Sequence, residues 1–126
     1  MVLKGARVLL VEDTADVRDA FVTLLRGEGA EVTAAATGRQ ALECSARGAF
    51  DIVLTDLGLP DVPGELIIRE IVATSRPRPR IVAVTGYGEP HVSRARAAGA
   101  AAVFAKPVEW SALLRELRPA AAAAVA

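Results

Sequence analysis

Apolar residues in this chain gather into five short runs, rich in β-branched side chains, separated by stretches of a different period. The runs are Arg7 to Val11, Glu31 to Ala36, Asp51 to Thr55, Arg80 to Thr85 and Ala101 to Ala105, and their length and composition predict strands. In the intervening stretches apolar positions recur at helical spacing, as Val17, Phe21, Leu24 and Leu25 do in the first and Leu66, Ile67 and Ile71 in the third. Punctuation agrees with an alternation of strand and helix. Gly27 and Gly29 close the first helix, Gly48 the second, Arg76-Pro77-Arg78-Pro79 the third and Gly99 the fourth, while Thr14 and Thr37 stand where they would cap the first two. The runs Val8 to Val11 and Ile52 to Leu54 are apolar at successive positions, as strands covered on both faces must be, which predicts a parallel sheet. Right-handed crossovers then give an open, doubly wound α/β domain, and such sheets bind ligands at the carboxyl ends of their strands, where the winding reverses.

Composition narrows the function classes. A length of 126 residues suits one domain, expected over residues 4–118, followed by an alanine-rich tail over 119–126. Apolar residues make up 52% but aromatic ones only 4%, so the core must come mainly from Val, Leu and Ile. Fifteen Lys and Arg balance 15 Asp and Glu, which leaves no broad basic field and argues against a direct nucleic-acid partner. No apolar stretch approaches the ~20 residues of a membrane helix, and the N-terminus lacks a signal-peptide core, so a soluble, cytoplasmic protein without membrane insertion is expected. Cys44 is the only cysteine, which excludes an internal disulfide or a cysteine metal cage and reads as a small apolar helix residue.

The strand ends carry the chemistry. Glu12-Asp13 follows the first strand, Asp56 the third, Thr85 the fourth and Lys106-Pro107 the fifth. Singly each is an ordinary loop polar group; together, at one edge of one sheet, they form a constellation. Clustered carboxylates repel unless a cation joins them, and a hard divalent ion, Mg²⁺ first, suits oxygen ligands while leaving positions for phosphate oxygens. A carboxylate can also attack phosphorus directly, and phosphoryl transfer needs alignment and charge neutralisation, which a metal, Lys106 and the Thr85 hydroxyl can supply.

These residues resemble the receiver domains of two-component response regulators. Glu12-Asp13, the segment Asp56-Leu57-Gly58-Leu59-Pro60-Asp61-Val62-Pro63-Gly64, Thr85-Gly86 and Lys106-Pro107 match that family's pattern in order and spacing, over about residues 4–118. The resemblance implies a flavodoxin-like (βα)5 domain with strand order 2-1-3-4-5. It implies that Asp56 accepts a phosphoryl group from a histidine kinase or histidine phosphotransfer protein, switching contacts with a downstream protein partner. Mg²⁺ would be held by Asp13, Glu12, Asp56 and the main-chain carbonyl of Gly58. Lys106 would pair with Asp56 and then with the phosphoryl oxygens, Thr85 would bind the phosphoryl group, and the Lys106-Pro107 peptide would be cis. Chemistry would be confined to the domain's own phosphorylation and dephosphorylation.

The alternative is a Mg²⁺-dependent phosphohydrolase working through an aspartyl-phosphate, but such enzymes carry a second acid two residues beyond the nucleophile, where this chain has Gly58. A flavin-binding module fits less well, because Glu12-Asp13 would repel the flavin phosphate. Gly86-Tyr87-Gly88 lacks the third glycine and lysine of a phosphate loop. Where the receiver family has its switch aromatic this chain has Val103, with Phe104 expected on the opposite sheet face. Tyr87, two residues past Thr85, is expected to restrict hydrolytic water and lengthen the phosphoryl lifetime. Val17, Phe21 and Leu24 are expected as the core face of the first helix, leaving Ala15, Arg18 and Val22 as a docking flank with Arg18 and Val22 the contact candidates. A second candidate surface carries Arg94, Arg96 and Trp110, and His91 is expected on the exposed start of the fourth helix.

Overall fold

The computed structural model describes residues 1–118, in which strand and helix alternate five times. The elements are β1 (Arg7–Val11), α1 (Ala15–Gly27), β2 (Glu31–Ala35), α2 (Gly38–Arg47), β3 (Ile52–Asp56), α3 (Gly64–Thr74), β4 (Arg80–Thr85), α4 (His91–Ala98), β5 (Ala102–Ala105) and α5 (Trp110–Leu117). All strand pairs are parallel, in the order β2-β1-β3-β4-β5. The expected tail over 119–126 lies outside the described residues. Strand boundaries differ from the sequence reading by a residue at most: β3 begins at Ile52 because the Asp51 carboxylate turns back to accept from the Arg7 N–H at 2.8 Å and side chain.

Alternation along each strand divides the core in two. Leu9, Val11, Val53, Ile81 and Ala83 face α2, α3 and α4, meeting Ala41, Ile67, Ile68, Ile71, Ala95 and Ala98. Val8, Leu10, Ile52, Leu54, Val82 and Val84 face α1 and α5, meeting Leu25, Leu113 and Leu117. The central strands β1, β3 and β4 are buried along nearly their whole length, which explains their unbroken apolar sequence; β2 and β5 are edges. Val103 and Phe104 pack on opposite faces, as expected, and Cys44 is half-buried against the first cluster.

Two local expectations need correction. Thr37 caps α2 by accepting from the Gln40 N–H at 3.1 Å, but the Thr14 hydroxyl makes no capping bond. The Glu12 carboxylate reaches forward to the Thr14 N–H at 3.1 Å instead. In α1 the core stripe is rotated from the expected one: Leu25 is fully buried and Phe21 and Val22 pack on the core, while Val17 and Leu24 are 38% and 40% exposed. Arg18 lies beside the acidic pair, its guanidinium donating to the carbonyls of Glu12 and Asp13. Helical periodicity alone cannot choose between adjacent stripes on a helix whose apolar arc is this wide; the sheet and α5 choose.

Candidate functional site

The chain runs from β1 outward to β2 and, after β3, outward the other way, so the winding reverses between β1 and β3. Register then determines which residues meet at that crevice. Val11 pairs with Thr55, which sets Glu12 abreast of Asp56; Asp56 pairs with Val84, next to Thr85; and Thr85 pairs with Ala105, next to Lys106. The Lys106 N–H closes the edge by donating to the Thr85 carbonyl at 2.9 Å. Four strands thus deliver the predicted residues to one place.

The Asp56 side chain is held from two directions. Its Oδ2 lies 2.9 Å from Lys106 Nζ, and its Oδ1 accepts the Gly58 N–H at 2.9 Å. Lys106 Nζ also stands 3.8 Å from Glu12 Oε1. Carboxylate oxygens of Glu12, Asp13 and Asp56 all lie within 4.8 Å of one another. Glu12 and Asp56 are buried and Asp13 is exposed, so the cluster opens to solvent on the Asp13 side.

Electrostatics follows from this crowding. Burial raises the Glu12 carboxyl above its ordinary value, and the Asp56 charge raises it further, against the opposing Thr14 N–H and Lys106. Burial pulls the Lys106 ammonium down, but the hydrogen bond and charge of Asp56, with Glu12 and Asp13 behind, outweigh it and hold the group above its ordinary value. One lysine therefore faces three acids. The surplus of negative charge on hard oxygen donors suits a small divalent cation, and these residues fit Mg²⁺.

Thr85 is buried, and its Oγ1 accepts the Tyr87 N–H at 2.9 Å. The Lys106-Pro107 peptide is cis. Gly64, at the start of α3, is required by close approach: a Cβ there would lie 2.6 Å from Leu57 Cα, immediately after Asp56.

Some contributors escaped the sequence reading. Arg18 ties α1 to the acidic pair through the carbonyls of Glu12 and Asp13, a contact that helical spacing does not announce. Asp61, in the loop after Asp56, accepts the N–H groups of Gly38 and Arg39 at 2.8 and 3.0 Å and so caps α2 from far along the chain. His91 begins α4 as expected but is half-buried, its ring set against Tyr87 at a 38° tilt with centroids 4.9 Å apart. Their spacing of four across a helix entry was the available signal. Trp110 is also half-buried, 6.4 Å from the Phe21 ring.

A parallel sheet in the order β2-β1-β3-β4-β5, with an acid cluster and a lysine at its carboxyl edge, defines a flavodoxin-like α/β domain. Residues 8–118 match the model of the response regulator receiver domain, and the chain belongs to that family. It is 37% identical over 113 residues, 87% of its length, to the response regulator protein FleR of Pseudomonas aeruginosa, of which it covers 23%. The chain spans less than half the length of each of the first curated relatives it matches. Among solved structures it resembles a CheY-like receiver domain protein from Methanospirillum hungatei (TM-score 0.84, 32% identity, 89% of this chain and 90% of that one). It is also similar to the receiver domain of sensor histidine kinase PA1611 from P. aeruginosa, which has magnesium coordinated in its active-site cleft (TM-score 0.81, 33% identity, 90% and 94%).

Proposed function

We propose that the chain is the phosphoacceptor of a two-component phosphorelay, with Asp56 taking a phosphoryl group from a phosphohistidine donor. The observation that carries this reading is the Asp56 carboxylate paired with Lys106 at 2.9 Å inside a cluster that includes Glu12 and Asp13. An Asp56 oxygen bonds to phosphorus as the bond from phosphorus to the donor histidine nitrogen breaks, and that nitrogen keeps the electron pair. Lys106, already beside Asp56, follows the charge onto the phosphoryl oxygens, and the Thr85 hydroxyl donates to one of them. Glu12, Asp13, Asp56 and the Gly58 carbonyl are the residues that would hold Mg²⁺, which when bound neutralises phosphoryl oxygens. The domain catalyses only its own phosphorylation and dephosphorylation. A phosphohydrolase is disfavoured because Gly58 offers no acid where turnover on outside substrates needs one.

The donor is a histidine kinase or histidine phosphotransfer protein, and the reading carries with it a cytoplasmic location; no helix among the described residues is long and apolar enough to cross a membrane. The contact surface for its helices is the groove of about 340 Å³ between α1 and the start of α5, where exposed Val17 and Leu24 stand beside Phe21, Val108 and Trp110. The groove lies on the same helix as Arg18 and Val22, the contact candidates on its flank. Incubation with acetyl phosphate and Mg²⁺, followed by intact mass, tests the core claim. A single phosphoryl adduct is expected, absent from Asp56→Ala; an adduct that survives in Asp56→Ala would place the acceptor elsewhere.

A further inference from the structure

Beside Asp56 the chain leaves a gap and fills it from another element. Gly58 has no side chain, and the position its Cβ would occupy lies 3.7 Å from Asp56 Oδ1, 3.5 Å from Tyr87 Cε2 and 3.9 Å from the Tyr87 hydroxyl. The Tyr87 ring thus faces the phosphoacceptor across the space that a side chain at 58 would otherwise fill. Yet Tyr87 is 55% exposed, and glycines flank it on both sides, each with open space where its Cβ would be. A loop of this kind does not by itself hold a ring in one place. Two contacts fix it: the Tyr87 N–H on Thr85 Oγ1, which anchors the backbone, and the His91 ring, which supports the aromatic face at 4.9 Å with a 38° tilt. His91 is in turn set by the helix, its N–H donating to the Gly88 carbonyl at 3.1 Å. The ring pair forms one wall of an open cleft of about 440 Å³ whose opposite wall includes Gly58, Leu59 and Glu65.

We propose that His91 is a positioning residue: it holds the Tyr87 ring across the α4 side of Asp56, and this pair governs how long a phosphoryl group on Asp56 persists. The inference rests on Asp56 being the phosphoacceptor. In hydrolysis a water oxygen bonds to phosphorus, the bond from phosphorus to the Asp56 oxygen breaks, and the water proton passes to solvent, leaving carboxylate and inorganic phosphate. Water must reach phosphorus in line with the departing carboxylate. A ring held against Gly58 covers the flank of Asp56 that the missing side chain leaves open to water; a ring released from His91 does not.

The experiment loads the full chain with acetyl phosphate and Mg²⁺, removes the donor and follows adduct decay by intact mass in the unaltered protein, Tyr87→Ala, His91→Ala, His91→Phe and the Tyr87→Ala/His91→Ala pair. His91→Ala is expected to decay about three- to tenfold faster, the range an aromatic contact of this kind converts to. His91→Phe, which keeps the stack, is expected to decay at the unaltered rate, and His91→Ala is expected to add nothing once Tyr87 is gone. Tyr87 is the only tyrosine, so its ring NMR signals report directly whether His91→Ala has moved it. Unchanged decay in His91→Ala with moved ring signals, or further acceleration on the Tyr87→Ala background, overturns the proposal. Absence of any adduct on the unaltered chain overturns the phosphoacceptor reading instead, and this inference with it.

Discussion

With only 3% of its surface exposed and the Asp56 carboxylate beside it, Glu12 retains its proton above the ordinary value of 4.5. A carboxyl whose folded value is raised binds protons more tightly in the native state than in the unfolded chain. Without metal, its contribution to stability therefore falls as pH rises from 4.5 through the raised folded value. Glu12→Gln keeps an oxygen for the Thr14 N–H and removes the charge. In chelator, this variant is expected to be the more stable protein at neutral pH and to lose the fall in that window, as denaturant midpoints across pH would show. Its Mg²⁺-induced rise in melting temperature is expected to shrink, because a ligand that binds the native state stabilises it only as far as the site binds. Asp56, Lys106 and the acidic pair were legible because each is a polar residue at the end of an apolar run. Nothing in the run tells which carboxylate is buried; Glu12 is enclosed and Asp13 is not.

Elements meet at this site through one long-range cap. Asp61 draws its two oxygens onto the N–H groups of Arg39 and Gly38, and these bonds hold its carboxyl below the ordinary 3.8. The loop after Asp56 is thereby tied to the N-terminus of α2, and Gly38 lets that helix come close: a Cβ there would lie 2.8 Å from both Val62 and Ile67. Asp61→Ala is expected to lower the denaturant midpoint at neutral pH. A depressed carboxyl gives stability that is present above the unfolded value and lost as pH falls through the folded one. The deficit of Asp61→Ala should accordingly vanish well below pH 3.8. Thr37 was a readable cap because its partner lies three residues on, whereas Asp61 caps from 22 and 23 residues away, beyond any local pattern.

At the scale of the whole molecule, two regions divide the work. The carboxyl edge of the sheet holds Asp56 and its acid cluster, and the α1–α5 groove offers apolar surface. On the proposed function, phosphorylation would add about two negative charges at an edge already crowded with carboxylates. If the groove receives the donor's helices, Leu24→Asp is expected to slow phosphorylation by a cognate histidine donor about tenfold while leaving acetyl phosphate loading unchanged. Equal slowing with both donors would assign Leu24 to folding. Leu24 shows where sequence reading stops, since the same spacing that marked it as core also suits Leu25 one step around the helix. The sheet and α5 enclosed Leu25 and left Leu24 outside.

By itself the sequence determined the alternation of strand and helix, the parallel sheet, the residues at the strand ends and, by resemblance, the family. These follow from local period and from the order of polar residues after apolar runs, which chain chemistry sets before any long-range contact forms. Only the tertiary structure decided which stripe of α1 is buried, that Asp61 caps α2, that Glu12 is enclosed while Asp13 is open, and that His91 supports Tyr87 beside Asp56. Each of these depends on which surfaces the sheet register and helix packing bring within a few ångströms, and that is a property of the assembled fold.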